Sequence, residues 1–288
     1  MEPITLPTAD GPRRYHLTRP AGPVRGVLLF LPGTGGTAAW AARDTHFPEA
    51  AVAAGFAAAV PDGLPPDPAR PAKFLTNPPR WNDGGTRPGD PLHSAADDVG
   101  FLAAVTSDLT ARGLAPTGRV RITGFSNGAG MAFRFAAERA DLVSALAPVA
   151  GYHWLAAARP THPVPTLYLV GDADPLVPLA GGWVRLPWGG QPVPRPAVAD
   201  TLAGWAEALG CRVTPDPAID IEGVRAVVYP GPVPFRAVII AGHGHHWPGG
   251  EGIMGEQTGG PRSAAFDATA RVVAWLAASL GERGASAP

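Results

Sequence analysis

Unbroken apolar runs alternate along the chain with segments in which apolar residues recur every three or four positions. Residues 26–31 form one such run, as expected for a strand that is covered on both faces. Between Ala95 and Leu109 the apolar residues follow helical spacing, and Gly113 is placed to end that helix. The pattern therefore predicts strands and helices in alternation rather than a single class of element.

The same two patterns predict the remaining elements. Strands are predicted at residues 13–18 (an edge strand), 26–31, 56–60, 120–123, 145–149, 165–170, 224–229 and 235–241. Helices are predicted at residues 45–54, 95–109, 127–139, 198–209 and 266–280. Strands that alternate with helices in this way indicate an α/β fold, with a mostly parallel central sheet and helices on both faces.

Two long stretches interrupt the alternation. Residues 61–92 are rich in Pro, Gly and Asp, and residues 181–196 form a second irregular insertion. Loops of such length are usually functional or disordered. No internal repeat or domain linker is visible, so we expect one domain over residues 1–288 with a frayed tail from residue 281.

Composition narrows the class of protein. The chain has 288 residues, 45% of them hydrophobic and 16% charged, which is typical of a globular protein with a sizeable core. A net charge of −1 without a clustered basic face argues against nucleic acid and anionic membranes as partners. The N-terminus lacks the apolar segment of a secretory signal. We therefore expect a cytoplasmic protein, or a secreted one whose leader has been removed, and the oligomeric state stays open.

The strongest chemical signal is the pentapeptide Gly124-Phe125-Ser126-Asn127-Gly128. A G-x-S-x-G pattern alone is weak in a chain with 37 glycines, but here it stands between a predicted strand and a predicted helix. At such an elbow the serine has a strained backbone and its hydroxyl points into a cleft, while larger side chains at the two glycines would collide with neighbouring backbone. Ser126 is therefore the candidate nucleophile.

A serine hydroxyl needs a base, and the base needs an orienting group. After the strand at 165–170 the chain reads Gly171-Asp172-Ala173-Asp174-Pro175. Both carboxylates follow the carboxyl end of a strand, where open α/β sheets hold their sites. We favour Asp174, which lies further out in the loop, and interpret Asp172 as a turn residue that accepts backbone N–H bonds.

Three histidines follow the strand at 235–241: His243, His245 and His246. His245 is the preferred general base, and the other two are alternatives to it or else serve loop structure or substrate contact. No carboxylate or cysteine stands at a familiar metal-ligand spacing from them, so neither a metal nor another cofactor is expected. The oxyanion hole is expected to use two backbone amides, that of Asn127 and one from the loop Gly33-Thr34-Gly35, of which Thr34 is preferred.

With these residues in view, the chain resembles the polyhydroxybutyrate depolymerase-like esterases, which include bacterial feruloyl and acetylxylan esterases. The resemblance covers most of the chain and rests on residues 10–15, 19–22, 31–36, 80–83, 97–102, 124–131, 171–178, 205–211 and 245–249. It implies the α/β-hydrolase fold, a triad of Ser126, Asp174 and His245, and an oxyanion hole formed by the backbones of Thr34 and Asn127.

The chain departs from that family at two points. Pro32-Gly33 stands where the family usually has His-Gly, which keeps the backbone donor but removes a side-chain contact. Many relatives are secreted and carry paired cysteines, whereas this chain has the single Cys211. An extracellular polymer is therefore a weaker expectation than a small ester.

The expected function is ester hydrolysis through an acyl-enzyme, on small, aromatic or oligomeric hydroxyalkanoate esters. Trp81, Trp183, Trp188 and Trp247 fall in loops near the proposed catalytic edge and are predicted to contact substrate, although each could instead pack its own loop. Asp98 is expected to cap its helix or to pair with an arginine. The alternatives are a peptidase or amidase on the same fold, and a non-catalytic binding protein.

Overall fold

A ten-stranded sheet forms the centre of the computed structural model, which describes residues 1–85, 95–155, 157–221, 223–252 and 254–278. In spatial order its strands are β1 (Glu2–Thr8), β2 (Gly11–Thr18), β4 (Ala57–Pro61), β3 (Val27–Leu31), β5 (Val120–Phe125), β6 (Val143–Val149), β7 (Thr166–Gly171), β12 (Phe235–Ile240), β11 (Val224–Val228) and β10 (Ile219–Ile221). The six strands from β4 to β12 are parallel, and the two at each end are antiparallel. The predicted fold class is confirmed.

Helices cover both faces of the sheet. They are α1 (Ala38–Trp40), α2 (Phe47–Ala53), α3 (Asp98–Ala111), α4 (Asn127–Glu138), α5 (Val198–Ala208), α6 (Glu256–Gly259) and α7 (Ala268–Ala278), with a π-helical turn at Ala41–Thr45 and a 3₁₀ turn at Ala140–Leu142. In β3, Leu29 packs in the apolar cluster of α3, α4 and α5, while Phe30 packs in that of α2 and α7. Since successive strand residues face opposite sides, both faces need apolar residues, which explains the unbroken run.

The two ends of the sheet differ from the sequence prediction. Residues 13–18 were predicted as an edge strand, but β1 pairs outside them along its whole length, so β2 is the second strand. Along β1 only Ile4 is fully buried, and Leu6 and Thr8 on the same face are half-buried, so the alternating pattern that would predict a strand is short and weak. All three residues of β10, at the other end, are exposed, and that strand was also not predicted.

The second insertion is more ordered than its composition suggests. Within it β8 (Gly182–Val184) and β9 (Val193–Arg195) form an antiparallel hairpin. Val184 and Val193 pack with Leu176 and Leu186 in a small apolar cluster of their own. Residues 86–92 of the first insertion, the end of the last predicted helix (279–280) and the predicted frayed tail from 281 lie outside the described residues.

A buried ion pair ties the N-terminal strands to helix α3. Arg13 on β2 lies 2.6 Å from Asp98, and both side chains are fully buried. Asp98 also accepts a hydrogen bond from the backbone N–H of Asn82, and Asp97 caps α3 through the N–H of Gly100. Asp98 therefore pairs with an arginine, as predicted. None of the helices in the described ranges has the length and apolar character to cross a membrane.

Candidate active site

Ser126 stands at a sharp elbow between β5 and α4. Its backbone has φ 55° and ψ −121°, a conformation that side chains other than glycine adopt at an energetic cost. Its amide donates to the carbonyl of Val149 on the neighbouring strand, which holds the turn against the sheet. The side chain therefore leaves the carboxyl edge of the parallel sheet, where α/β folds place their sites.

The two glycines of the elbow are sterically required. A Cβ at Gly124 would lie 2.3 Å from the carbonyl oxygen of Gly128, and a Cβ at Gly128 would lie 2.1 Å from that of Leu31. Both distances are far below van der Waals contact, and the clashing atoms belong to backbone that cannot rotate away. The elbow can form only because these positions have no side chain.

A hydrogen-bonded chain joins the three residues predicted as a triad. Nε2 of His245 lies 2.8 Å from Oγ of Ser126, and Nδ1 of His245 lies 2.8 Å from Oδ2 of Asp174. The other oxygen of Asp174 accepts the amides of Leu176 and Val177 at 2.8 and 2.7 Å. These bonds hold the buried carboxylate in one orientation, so that it can in turn orient the imidazole.

The alternative acid, Asp172, and the alternative bases, His243 and His246, form hydrogen bonds with other partners. Asp172 is exposed and accepts the amide of Gly242, which is the turn role expected of it. His243 accepts the amide of Ser263 at Nδ1 and therefore donates from Nε2 to the carbonyl of His246. His246 donates to the carbonyl of Gly260. Burial lowers the pKa of both His243 and His246, so both rings favour the neutral form.

The loop after β3 packs directly on the elbow. A Cβ at Gly33 would lie 3.1 Å from the Cβ of Ser126, so Gly33 and Thr34 approach the serine closely. Thr34 and Asn127, the two residues predicted to supply oxyanion amides, both line the space around the Ser126 side chain. Asn127 is also the first residue of α4, where backbone N–H groups are directed away from the helix and favour negative charge.

Two cavities meet at Ser126 and His245. The first, here called the aromatic cavity, is walled by Trp40, Phe74, Phe125, Trp188, Trp247 and Met254. The second, the polar cavity, is walled by Arg80, Asp83, Asn127, Tyr152, Trp154 and Arg195. A molecule that reacts at Ser126 can therefore place an apolar group on one side and a polar group on the other.

The four tryptophans that were predicted to contact substrate lie in different places. Trp247 and Trp188 line the aromatic cavity, and Trp188 reaches the polar one as well. Trp183 on β8 is 75% exposed and lines a separate groove at the hairpin. The structure corrects the prediction for Trp81, which is 1% exposed, lies outside both cavities and donates from its indole to the carbonyl of Pro32. Its place is beneath the loop that carries Thr34.

The chain is similar in sequence to known esterases. Over 259 residues the chain is 33% identical to "Putative esterase NocK" from Nocardia uniformis subsp. tsuyamanensis, a match that covers 83% of this chain and 71% of the relative. The chain belongs to the esterase-like α/β-hydrolase family. A second relative of this esterase-like chain, "Feruloyl esterase B" from Piromyces equi, is 29% identical over 185 residues, which span 61% of this chain and only 32% of the relative.

Solved structures support the fold of this α/β-hydrolase at low sequence identity. An acetyl xylan esterase from Aspergillus awamori superposes with a TM-score of 0.60 at 13% identity and covers 89% of this chain and 97% of its own. The esterase PE8 reaches a TM-score of 0.50 at 18% identity, over 81% of this chain and 90% of its own. No protein-family model matches the sequence.

Several cavity residues of this family member were not predicted from the sequence. Tyr152 and Trp154 follow β6 at the same carboxyl edge as Ser126, a position that could have drawn attention to them. Arg195 gave no such signal, because only the β8–β9 hairpin brings it to the polar cavity. Asp44 lines the aromatic cavity from the π-helical turn, where burial raises the pKa of its carboxyl.

The described residues contain no group of three or more His, Cys, Asp or Glu side chains arranged to hold a metal ion.

Proposed function

We propose that this protein is a serine carboxylic-ester hydrolase that acts through an acyl-enzyme. The observation that carries the proposal is the continuous hydrogen-bonded chain from Ser126 through His245 to Asp174, set at a strained elbow where two cavities meet. Membership of an esterase-like family supports an ester rather than an amide as the substrate.

In the first half of the reaction, Oγ of Ser126 attacks the ester carbonyl while Nε2 of His245 takes its proton. Asp174 accepts from Nδ1 of the imidazole and stabilises its charged form. The carbonyl oxygen becomes negative and is bound by the backbone amides of Asn127 and Thr34, at the positive end of α4. His245 then gives the proton to the leaving alkoxide, and the acyl group stays on Ser126.

In the second half, water replaces the alcohol. His245 takes a proton from the water, whose oxygen attacks the acyl carbonyl, and the same amides bind the second oxyanion. The C–O bond to Ser126 breaks, and the proton returns from His245 to Oγ. The free acid leaves, and the site regains its starting state without any cofactor.

The aromatic cavity supports an apolar or aryl group on one side of the ester. Its walls offer flat faces from Trp40, Phe125 and Trp247, which suit an aryl ring or a short hydroxyalkanoate chain. Phe125 also packs on His245, with ring centroids 4.9 Å apart, so the bound group would lie beside the base.

Hydrolysis of p-nitrophenyl acetate and butyrate by wild type, Ser126→Ala and Ser107→Ala tests the proposal. Ser107 is an exposed serine on α3, far along the chain from the elbow, and serves as the matched control. We expect Ser126→Ala to lose about 10⁴-fold or more in kcat/KM, and Ser107→Ala to retain wild-type activity. Retention of wild-type activity by Ser126→Ala would refute the proposed function.

The mechanism is tested separately by trapping. A fluorophosphonate should add to Ser126, detected as a mass increase on the peptide that contains residues 124–128. Hydrolysis of p-nitroanilides at rates comparable with esters would favour the peptidase or amidase alternative. Binding of esters without turnover would favour the non-catalytic alternative.

A further inference from the structure

The aromatic cavity contains a buried carboxylate that the proposed chemistry does not use. Asp44 is only 2% exposed and lines this cavity from the π-helical turn. Its Oδ1 accepts the amide of Gly252 at 2.5 Å, whereas Oδ2 has no hydrogen-bond partner among the described residues. Asp44 also forms no ion pair with any residue that the structure describes. Because aspartates are almost never buried without a partner, a cation that arrives with the ligand would supply what is missing.

The backbone around Asp44 shields its carboxylate from water. A Cβ at Gly250 would lie 2.9 Å from Oδ2 of Asp44 and 2.8 Å from its carbonyl oxygen, so the chain at 250–252 packs over the side chain. A charge that water does not reach is weakly screened and acts over several ångströms. The carboxylate can therefore attract a cation in the adjoining cavity without bonding to it directly.

The wall of the aromatic cavity supplies no compensating positive charge from its described residues. They include no lysine or arginine, and His246 favours its neutral form because burial lowers its pKa. His245, the other histidine of the wall, is bonded to the carboxylate of the proposed triad. Arg43 and Glu251 also act on Asp44 electrostatically, but they have opposite signs and are exposed to water. A negative charge on Asp44 is thus left for a ligand to balance.

The rest of the wall suits an alkylammonium group. Among its described residues are the rings of Trp40, Phe74, Phe125, Trp188 and Trp247. The faces of such rings are electron-rich and attract ammonium groups, tryptophan most strongly. A neutral group would pack on the same rings but would gain nothing from the carboxylate. The combination of rings and a buried carboxylate therefore favours a cation.

Ionisation of Asp44 and binding of a cation support each other. Burial raises the pKa of Asp44, and the amide of Gly252 acts in the opposite direction because it bonds the charged form. A cation in the cavity would also stabilise the charged form. By linkage, the charged form then binds the cation more tightly than the neutral form does.

We propose that the aromatic cavity binds an alkylammonium group of the ester substrate, with the carboxylate of Asp44 as its counter-charge and the aromatic rings as its contact surface. The substrate class is then the esters of amino alcohols or of amino acids. This proposal rests on the proposed serine esterase function and makes the group in the aromatic cavity specific.

Two pairs of esters test the proposal, because the ammonium group could lie on the alcohol side or on the acyl side. The alcohol-side pair is butanoylcholine and 3,3-dimethylbutyl butanoate, followed by butyrate release. The acyl-side pair is 4-nitrophenyl 4-(trimethylammonio)butanoate and 4-nitrophenyl 5,5-dimethylhexanoate, followed by nitrophenol release. Within each pair a charged nitrogen replaces a carbon in the same shape, so the ratio of kcat/KM reports recognition of the charge.

Wild type should favour the ammonium ester in one of the pairs by about fivefold or more. Asp44→Asn keeps an oxygen for the amide of Gly252 but removes the charge, and should lower that ratio by about 10- to 100-fold, mainly through KM for the charged ester. Glu251→Gln is the matched control, because it removes a nearby charge that is exposed to water. It should change the ratio by less than about threefold.

The contribution of the rings is measured with a second variant. Trp188 lines the cavity and is partly exposed, so Trp188→Leu removes a ring with little disturbance of the core. We expect the ratio to fall by about two- to fivefold. Trp183→Leu, at the 75% exposed position outside the cavity, should leave the ratio unchanged.

The ratio is measured on one enzyme sample, so a partly unfolded variant does not affect it. A wild-type preference for the neutral ester in both pairs would overturn the proposal. An unchanged ratio in Asp44→Asn, or an equal fall in Glu251→Gln, would do the same. If hydrolysis of the neutral esters still depends on Ser126, these results leave the serine esterase intact. If none of the four esters is hydrolysed in a Ser126-dependent way, the proposed function fails, and this proposal with it.

Discussion

Oδ2 of Asp174 lies 2.8 Å from Nδ1 of His245, while Asp172, two residues earlier, is exposed and bonds the amide of Gly242. The two carboxylates share a loop and a residue type, yet only one reaches the imidazole. The difference arises because Asp174 turns inward and is held by the amides of Leu176 and Val177.

Replacing these two carboxylates should have unequal effects on catalysis. Asp174→Asn keeps the size of the side chain but loses the charge that orients and stabilises the imidazole, so we expect kcat to fall by about 10⁴-fold. Asp172→Asn should change kcat by no more than about threefold, because its turn contact lies outside the hydrogen-bonded chain. Steady-state kinetics on one ester measures both, and a larger loss at Asp172 would reverse the assignment.

The elbow should not tolerate a methyl group at its second glycine. In Gly128→Ala the new Cβ would lie 2.1 Å from the Leu31 carbonyl, so the helix or the strand must shift. We expect a loss of about 1–3 kcal/mol in the free energy of unfolding, together with lower activity.

Gly204→Ala provides the control for that variant. Gly204 lies within α5 and has no atom within 4 Å of an added Cβ, so alanine should stabilise the helix by about 0.5–1 kcal/mol. Urea denaturation of both variants measures the difference. Equal stability of Gly128→Ala and wild type would contradict the steric argument.

Trp81 should act through the loop that it supports. Trp81→Phe removes the indole donor to the buried Pro32 carbonyl, at an expected cost of about 1–3 kcal/mol in stability. Because Pro32 precedes Gly33 and Thr34, we expect kcat to fall more than KM rises. Trp183→Phe, at an exposed position, should change stability by less than about 0.5 kcal/mol. An increase in KM alone for Trp81→Phe would instead indicate direct contact with substrate.

The buried His153 should make stability depend on pH. It packs against Phe133 and Trp205, and burial lowers its pKa to about 4, with Arg159 acting in the same direction. In the unfolded chain the ring takes up its proton near pH 6.5. Between these values the unfolded state binds more protons, so stability is fully present above about pH 6.5 and falls as the pH is lowered towards 4, by at most about 3 kcal/mol.

Denaturation curves at a series of pH values between 4 and 7 measure this slope. His153→Phe should make the slope shallower, with the remainder coming from groups such as the buried His243 and His246, whereas His46→Asn, at an exposed position, should leave the slope as in wild type. A slope that persists unchanged in His153→Phe would assign the pH dependence to other groups.

Local sequence patterns were sufficient to predict the strands at the centre of the sheet and the elbow at Ser126. Parallel strands buried on both faces are mostly apolar, so the runs at β3 and β7 could be recognised without knowledge of their neighbours. The elbow at Ser126 was equally visible, because its glycines are required by backbone contacts within a few residues and with the adjacent strand.

The tertiary structure decided whatever depends on residues distant in sequence. The strand β1 pairs with β2 along its whole length but buries only Ile4 fully, so its alternating pattern was too weak to predict it. Trp81 and Trp247 are alike in sequence terms, but Trp81 donates to the carbonyl of Pro32 beneath the loop that carries Thr34, whereas Trp247 lines a cavity. Tyr152 and Arg195 line the same cavity, although Arg195 belongs to the β8–β9 hairpin and Tyr152 follows β6. Sequence pattern determines which face of an element is buried, whereas the partner on that face is set by how the elements pack.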